Sequence, residues 1–338
     1  MTRCCFPVRL LLGLFLAGLV AQAAPAADLA VTPREVVFKD AFDGRQLLVS
    51  EGNRDVTRAA HYSSSDPAVV RVDERGYLQP ASDGSARVTV RQGQSEAAVS
   101  VRVSGVGAGR AIDFKTEIVP LLSRLGCNAG GCHGKASGQN GFKLSLFGFD
   151  SAFDYEAIVR EARGRRLFPA APARSLILLK ATGQVSHGGG KRMSLDGEEY
   201  RLVRRWIEAG APASAPGAPG VVRLHVTPTD STLRPGEGQQ LAVEAEYGDG
   251  SRRDVTRQAE YFTNLDVVAT VDRDGLVASH QQTGEAAIMA RYMGHVTVFR
   301  AIVPHGEPLK ELPDFKPNNY IDELAAAKWM KLGLHPSP

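Results

Sequence analysis

Cysteine is scarce in this chain of 338 residues: there are four, two of them within the first five positions and the others at Cys127 and Cys132. That excludes a fold stapled throughout by disulfides. Charge of one sign is lacking too. Forty Lys and Arg face 37 Asp and Glu, a formal net charge of +3, which is too small to imply a nucleic-acid partner. The one uninterrupted apolar run, Leu10 to Val20, is shorter than the roughly 20 residues that span a bilayer, so no transmembrane helix is expected in the mature chain. No Ser-His-Asp order, paired-carboxylate site or phosphate loop stands out, and the sequence gives no reason to expect an enzyme. Aromatics are modest at 7%, whereas glycine is plentiful at 35 residues. That mixture suits many short strands joined by tight turns.

Residues 1–27 read as a signal peptide. Arg3 and Arg9 precede the apolar run, and Ala21-Gln22-Ala23 offers a small-x-small cleavage site. Cleavage would remove Cys4 and Cys5 and deliver the rest to the periplasm or the cell surface.

The mature chain contains a repeat, for residues 28–104 resemble residues 221–304. Val31-Thr32-Pro33 matches Val226-Thr227-Pro228. Arg54-Asp55-Val56-Thr57-Arg58 matches Arg253-Asp254-Val255-Thr256-Arg257, and Gly76-Tyr77-Leu78 matches Gly275-Leu276-Val277. Leu241, Val243, Ala245 and Tyr247 alternate with polar neighbours, the period of a half-buried strand. Each copy is expected to be a small antiparallel sandwich. The Asp-Val-Thr turn, the following Val-x-x-Val-Asp strand and the Gly-x-Leu/Val hairpin resemble bacterial immunoglobulin-like domains of group 2.

Between the copies, residues 111–212 show a helical period instead. Phe114, Ile118, Leu121, Leu122 and Leu125 make one apolar face, with Asp113 placed to cap it and Pro120 to kink it. Tyr200, Val203, Trp206 and Ile207 make another. The first leads into Cys127-Asn128-Ala129-Gly130-Gly131-Cys132-His133-Gly134. Two thiols followed directly by an imidazole admit four readings: a disulfide with His133 as bystander, a structural zinc site, a dithiol for redox exchange, and covalent haem. The four-residue spacer is longer than the haem attachment signal, and Gly130 and Gly131 would let the extra length loop out.

Further stretches carry a resemblance: Asn140-Gly141-Phe142-Lys143-Leu144-Ser145-Leu146-Phe147-Gly148, Ser175-Leu176-Ile177-Leu178-Leu179-Lys180, His187-Gly188-Gly189-Gly190 and Trp206-Ile207-Glu208-Ala209-Gly210-Ala211-Pro212. With the Cys-His motif they resemble the cytochrome c-like domains of large secreted proteins typical of planctomycetes. The resemblance implies a multidomain fold: two all-β Ig-like sandwiches flanking a mainly α cytochrome c-like domain. It implies an exported electron carrier with one haem c, attached through Cys127 and Cys132 and ligated by His133, serving an unknown redox partner. His187 stands where such relatives carry the sixth iron ligand, and Met193 is the alternative. Arg160, Arg163, Arg165 and Arg166 read as a solvated helix end, or as partners for haem propionates.

Residues 305–338 read as a connector followed by a helix from Tyr320 to Leu332, capped by Asn319 and ended by Gly333. In the resembling proteins a similar segment opens a further domain; the helix could instead dock on a sandwich. The rival reading for the whole chain is a binding or adhesion protein. Its sandwiches would then present a surface to a cell-surface or glycan ligand, and the Cys pair would be a disulfide or metal staple.

Overall fold

The computed structural model describes Met1 and residues 28–107, 110–313 and 315–336. The expected export signal, with Cys4 and Cys5, therefore lies outside the described residues apart from Met1. The first copy of the repeat contains strands β1 (Leu29–Thr32), β2 (Glu35–Phe38), β3 (Arg45–Gln46), β4 (Leu48–Glu51) and β5 (Arg54–Asp55), followed by β6 (His61–Ser64), β7 (Val70–Val72), β8 (Tyr77–Pro80), β9 (Gly84–Gln92) and β10 (Ser95–Val103). They form sheets in the order β2-β10-β9-β6, β1-β4-β5 and β3-β8-β7. The period-2 pattern explains the long hairpin. Val88, Val90, Val99 and Val101 point into the core, while Arg87, Arg91 and Arg102 point out. Each fully buried valine contributes on the order of 1.5–3 kcal/mol.

The second copy repeats this plan with β11 (Val221–Thr227), β12 (Asp230–Thr232), β13 (Gly238–Gln240), β14 (Ala242–Tyr247) and β15 (Arg252–Asp254), then β16 (Glu260–Thr263), β17 (Ala269–Val271), β18 (Leu276–Ser279), β19 (Gly284–Tyr292) and β20 (His295–Val303). Its sheet orders, β12-β20-β19-β16, β11-β14-β15 and β13-β18-β17, match those of the first. The shared Asp-Val-Thr motif has a physical reason. Thr57 Oγ1 accepts from Val49 N and Asp55 from Thr57 N, both at 2.8 Å. Thr256 and Asp254 do the same at 2.8 and 2.9 Å. A hydroxyl and a carboxylate thus satisfy backbone donors where the chain turns out of the sheet.

The two sandwiches meet directly, through an interface built twice from equivalent residues. Asp55 accepts from Gln240 N at 3.0 Å, and its equivalent Asp254 accepts from Gln46 N at 2.8 Å. Arg58 faces Asp272 at 3.6 Å, and Arg257 pairs with Asp73. A self-complementary contact of this kind has the logic of a two-fold dimer interface, here within one chain. The small-residue, Gly/Pro-rich linkers at 105–110 and 213–220 lead the sequence to suggest loosely strung modules; these reciprocal contacts join the sandwiches into one frame.

The insert, 111–212, departs from expectation. Its α-helices are α1 (Val119–Arg124), α2 (Ser151–Tyr155), α3 (Leu176–Ala181) and α4 (Glu198–Glu208), only the last longer than six residues. Turns, bends and short 3-10 and π segments make up the rest. A mainly α cytochrome c-like domain is therefore the wrong description. The molecule is dominated by β-sandwich sheets, with a loop-built insert wound on a small apolar core. The apolar period at 114–125 was legible, but its first turn, Phe114–Ile118, is a π segment capped by Asp113. Pro120 then sits in the first turn of α1, where its missing N–H costs nothing.

The C-terminal helix α5 (Tyr320–Leu332) is capped by Asn319, which accepts from Ile321 N at 2.8 Å. It docks on the second sandwich: Lys328 pairs with Glu285 at 3.0 Å and Lys331 with Asp230 at 3.3 Å, and Leu332 is buried.

Candidate functional site

The Cys-His segment is a closed turn following α1. Cys127 N donates to Leu122 O at 2.8 Å, and His133 N returns to Cys127 O at 3.0 Å, which closes the loop between them. Asn128 is fully buried inside it and donates to Ser123 Oγ at 2.8 Å. The spacer glycines have a smaller part than expected, for neither Gly130 nor Gly131 has a positive φ. Gly134 is the constrained position: a Cβ there would lie 1.9 Å from Asn128 O.

Both thiols are free. Burial pushes the Cys127 thiol up to about 11, against the opposing pull of Arg192. At neutral pH the thiol is protonated and a poor nucleophile, which disfavours the dithiol reading. Among the described residues no group of three or more His, Cys, Asp or Glu is placed to hold a metal ion. The expectation of a cytochrome c-like, haem- and metal-binding electron carrier is thus corrected, by the fold and because no metal-binding group is found among the described residues. Met193 is buried in the insert core with Leu178 and Ala181, and Trp206 is wholly buried there, its Nε1 donating to Pro212 O at 2.9 Å.

His133 and His187, 54 positions apart in sequence, are brought together. Their ring centroids are 6.3 Å apart and their planes differ by 7°. His133 Nδ1 lies 3.0 Å from Phe142 O, and His187 Nδ1 lies 2.9 Å from Gly190 O. A carbonyl can only accept, so each Nδ1 carries the proton, and the Nε2 of each neutral ring keeps its lone pair. Burial lowers the His133 pKa, opposed by the hydrogen bond to Phe142 and assisted by the nearby His187 and Arg166. The result is a pair of parallel, half-buried imidazoles, each with its Nδ1 committed to a backbone carbonyl. Two nitrogens do not complete a metal cage, so a ligand held between them is organic or brings the remainder of its own coordination.

Sequence reasoning missed what holds His133. Arg166, read as part of a solvated helix end, is buried, and donates to Ala157 O at 2.6 Å and Gly141 O at 2.9 Å. Its guanidinium lies 4.4 Å from the centroid of the Phe142 ring, which in turn packs on His133 at 4.5 Å. The insert as a whole is fixed to the frame. Arg124 pairs with Asp274 at 2.8 Å, Tyr292 OH donates to Thr116 O at 2.6 Å, and Arg110 bridges Glu117 and Asp40. Beside this turn, the segment 146–153, which runs into α2, exposes Leu146, Phe147, Phe149 and Phe153.

A second candidate surface emerges only when the two copies are compared. On the outer face of the first sandwich, Ser63, Thr89, Glu96 and Ala98 lie in register across β6, β9 and β10. The equivalent positions in the second are Phe262, Met289, Val296 and Val298. Phe262, Val296 and Val298 are exposed. Arg291 lies 5.0 Å from the Phe262 ring and 4.2 Å from the Phe147 ring of the insert. One face of the duplicated sheet is therefore polar in one copy and apolar in the other.

No family model matches the chain, and no curated protein matches it. Among solved structures, it is similar to domains 5–6 of the S-layer protein SbsC, at 10% identity and a TM-score of 0.32 over 82% of this chain and 98% of that one. It is also similar to a longer SbsC structure, at 12% identity and a TM-score of 0.23 over 86% of this chain. Against invasin, a bacterial integrin-binding protein, identity is 11% and the TM-score 0.17 over 82% of this chain and 59% of that one. The chain spans 29% of the length of the longer SbsC structure. Likenesses at these scores carry no argument about function. Among the described residues, no helix is long and apolar enough to cross a membrane.

Proposed function

We propose that this chain is an exported binding protein. The two sandwiches form its frame, and the insert carries its ligand site in the cleft between His133 and His187. The observation behind this reading is the pair of parallel imidazoles, each tied through Nδ1 to a backbone carbonyl, with two unused Nε2 lone pairs. Holding two side chains in matching orientations costs rotamer entropy, and nothing in the insert core needs either ring, since both are only half-buried. A planar ligand that donates a hydrogen bond to each free Nε2 fits such a pair. Native mass spectrometry of protein exported from its host compartment tests the reading. The expected result is a mass excess that is lost in both His133→Ala and His187→Ala. Wild-type and variant proteins of identical ligand-free mass, together with no binding of planar hydrogen-bond-donor probes such as 2-aminobenzimidazole, would overturn it.

The apolar outer face of the second sandwich favours a further reading, adhesion. Exposed Phe262 on β16 and Val296 and Val298 on β20 flank half-buried Met289 on β19, an apolar face of the kind that marks contact surfaces. Adhesion through this face predicts that Phe262→Ser with Val298→Ala, the residues of the first copy, abolishes attachment to cells while leaving ligand binding in the cleft intact. Undiminished attachment by the double variant would remove this reading.

A further inference from the structure

The cleft reading leaves open what fixes the donor atom of His133, and the second ring of contacts answers this. A neutral imidazole exists as two tautomers, and only the one with its proton on Nδ1 leaves Nε2 free. Here the choice depends on the position of a single carbonyl, Phe142 O, 3.0 Å from Nδ1. That carbonyl belongs to a short loop with little regular structure. It is closed by paired bonds between Gln139 and Phe142, at 2.8 and 2.9 Å, and by Leu144 N donating to His133 O at 2.9 Å.

We propose that Arg166 is the positioning residue of this cleft: by fixing the Gly141-Phe142 segment it holds His133 as the Nδ1–H tautomer and keeps Nε2 free as a donor. The inference rests on the cleft reading for its functional meaning, although the geometry stands independently. Arg166 reaches the loop in two ways, through its hydrogen bond to Gly141 O at 2.9 Å and through its guanidinium over the Phe142 ring at 4.4 Å. The other end of the same fork is anchored on Ala157 O at 2.6 Å and Glu161 O at 3.2 Å. The planar guanidinium thus ties the carbonyls of two separate segments at fixed spacing, which a lysine ammonium cannot reproduce. Only 4% of Arg166 is exposed, and its nearest carboxylate, Glu161, is 3.8 Å away and half in water. Burying a cation chiefly against backbone carbonyls is costly for a residue that serves packing alone. The Phe142 ring lies between Arg166 and His133, packed on the imidazole at 4.5 Å with a tilt of 47°. It passes the constraint to the imidazole face, while its own carbonyl passes it to Nδ1.

Long-range 1H–15N correlation spectra of the ligand-free, 15N-labelled protein read the tautomer directly. In the wild type His133 should show a protonated Nδ1 and a bare Nε2, with no detectable Nε2–H form. In Arg166→Met the Nε2–H form should become the major one, and Arg166→Lys should give a mixture. A role in packing alone would lower the melting temperature of these variants and leave the tautomer unchanged. That result, or an Nε2–H tautomer in the wild type, overturns the proposal. Should Arg166→Met fail to fold, Phe142→Leu tests the same chain of contacts. It keeps the carbonyl and removes the ring, and the Nε2–H form must again rise. The measurement needs no ligand. An Nδ1–H wild type that binds no flat probe would remove the cleft reading and leave the positioning role standing.

Discussion

Asp274 sits where the three modules meet, and its removal tests whether they form one unit. Its carboxylate, in the second sandwich, receives Arg124 of the insert at 2.8 Å and Arg75 of the first sandwich. The Arg124 side chain is 7% exposed and that of Asp274 12%. Arg124 Nε already lacks a partner. Asp274→Ala would leave a buried guanidinium with no counter-charge. Breaking a buried pair from one side costs roughly 3–5 kcal/mol, and the residual exposure of Asp274 places the expected loss near the lower end. The Arg75 arm, 41% exposed, adds well under about 1 kcal/mol. The loss should also depend on pH. Burial pushes the Asp274 carboxyl up, but Arg124, Arg257 and Arg75 together hold it below its ordinary 3.8. A depressed folded pKa means stability that is present above 3.8 and lost as pH falls through the folded value. Urea unfolding at pH 7 should therefore separate variant from wild type by about 3 kcal/mol, and the gap should narrow below pH 3.8. Replacing both partners, Arg124→Met with Asp274→Leu, should recover much of the loss. A cost under about 1 kcal/mol at pH 7, or one that does not change with pH, would refute the reasoning.

Other perturbations follow from the same contacts. Gly134→Ala places a Cβ 1.9 Å from Asn128 O; thermal melts should show a loss of about 3 kcal/mol, and a neutral effect would show that the Cys-His turn is not closed as described. Asn319→Ala removes the acceptor for Ile321 N and Asp322 N. It should cost about 1 kcal/mol, read as faster hydrogen exchange confined to α5. Phe262→Ser with Val298→Ala changes exposed side chains, so stability should stay within about 0.5 kcal/mol. Retention on a hydrophobic column should fall nonetheless; unchanged retention would mean that the patch is not an accessible apolar surface.

The fold of the two copies was legible because each strand buries one face, and the alternation of Val88, Val90, Val99 and Val101 states it directly. The helix from Tyr320 to Leu332 was legible from its cap and its glycine stop. The insert was misjudged because two short helical periods, at 114–125 and 200–207, were extended across loops that follow no period. The weld between the sandwiches was present in the repeated Arg-Asp-Val-Thr-Arg motif, but charge pairing over some 180 positions leaves no local pattern. Arg166 was invisible for a related reason. In sequence it stands beside Arg163 and Arg165 as one of several exposed cations, and only the packing of Phe142 and Gly141 sets it apart. The apolar outer face could have been found by aligning the copies and asking which outward positions change character.

The account turns on His133 and His187 acting together as a ligand site, and titration with the flat probe 2-aminobenzimidazole, followed through the ring 15N shifts of both histidines, tests this most directly. In the wild-type protein both Nε2 signals should move together along one binding curve, and His133→Ala and His187→Ala should each weaken binding at least about tenfold. Equal affinity in all three proteins, or no shift at either ring of the wild type, would contradict it.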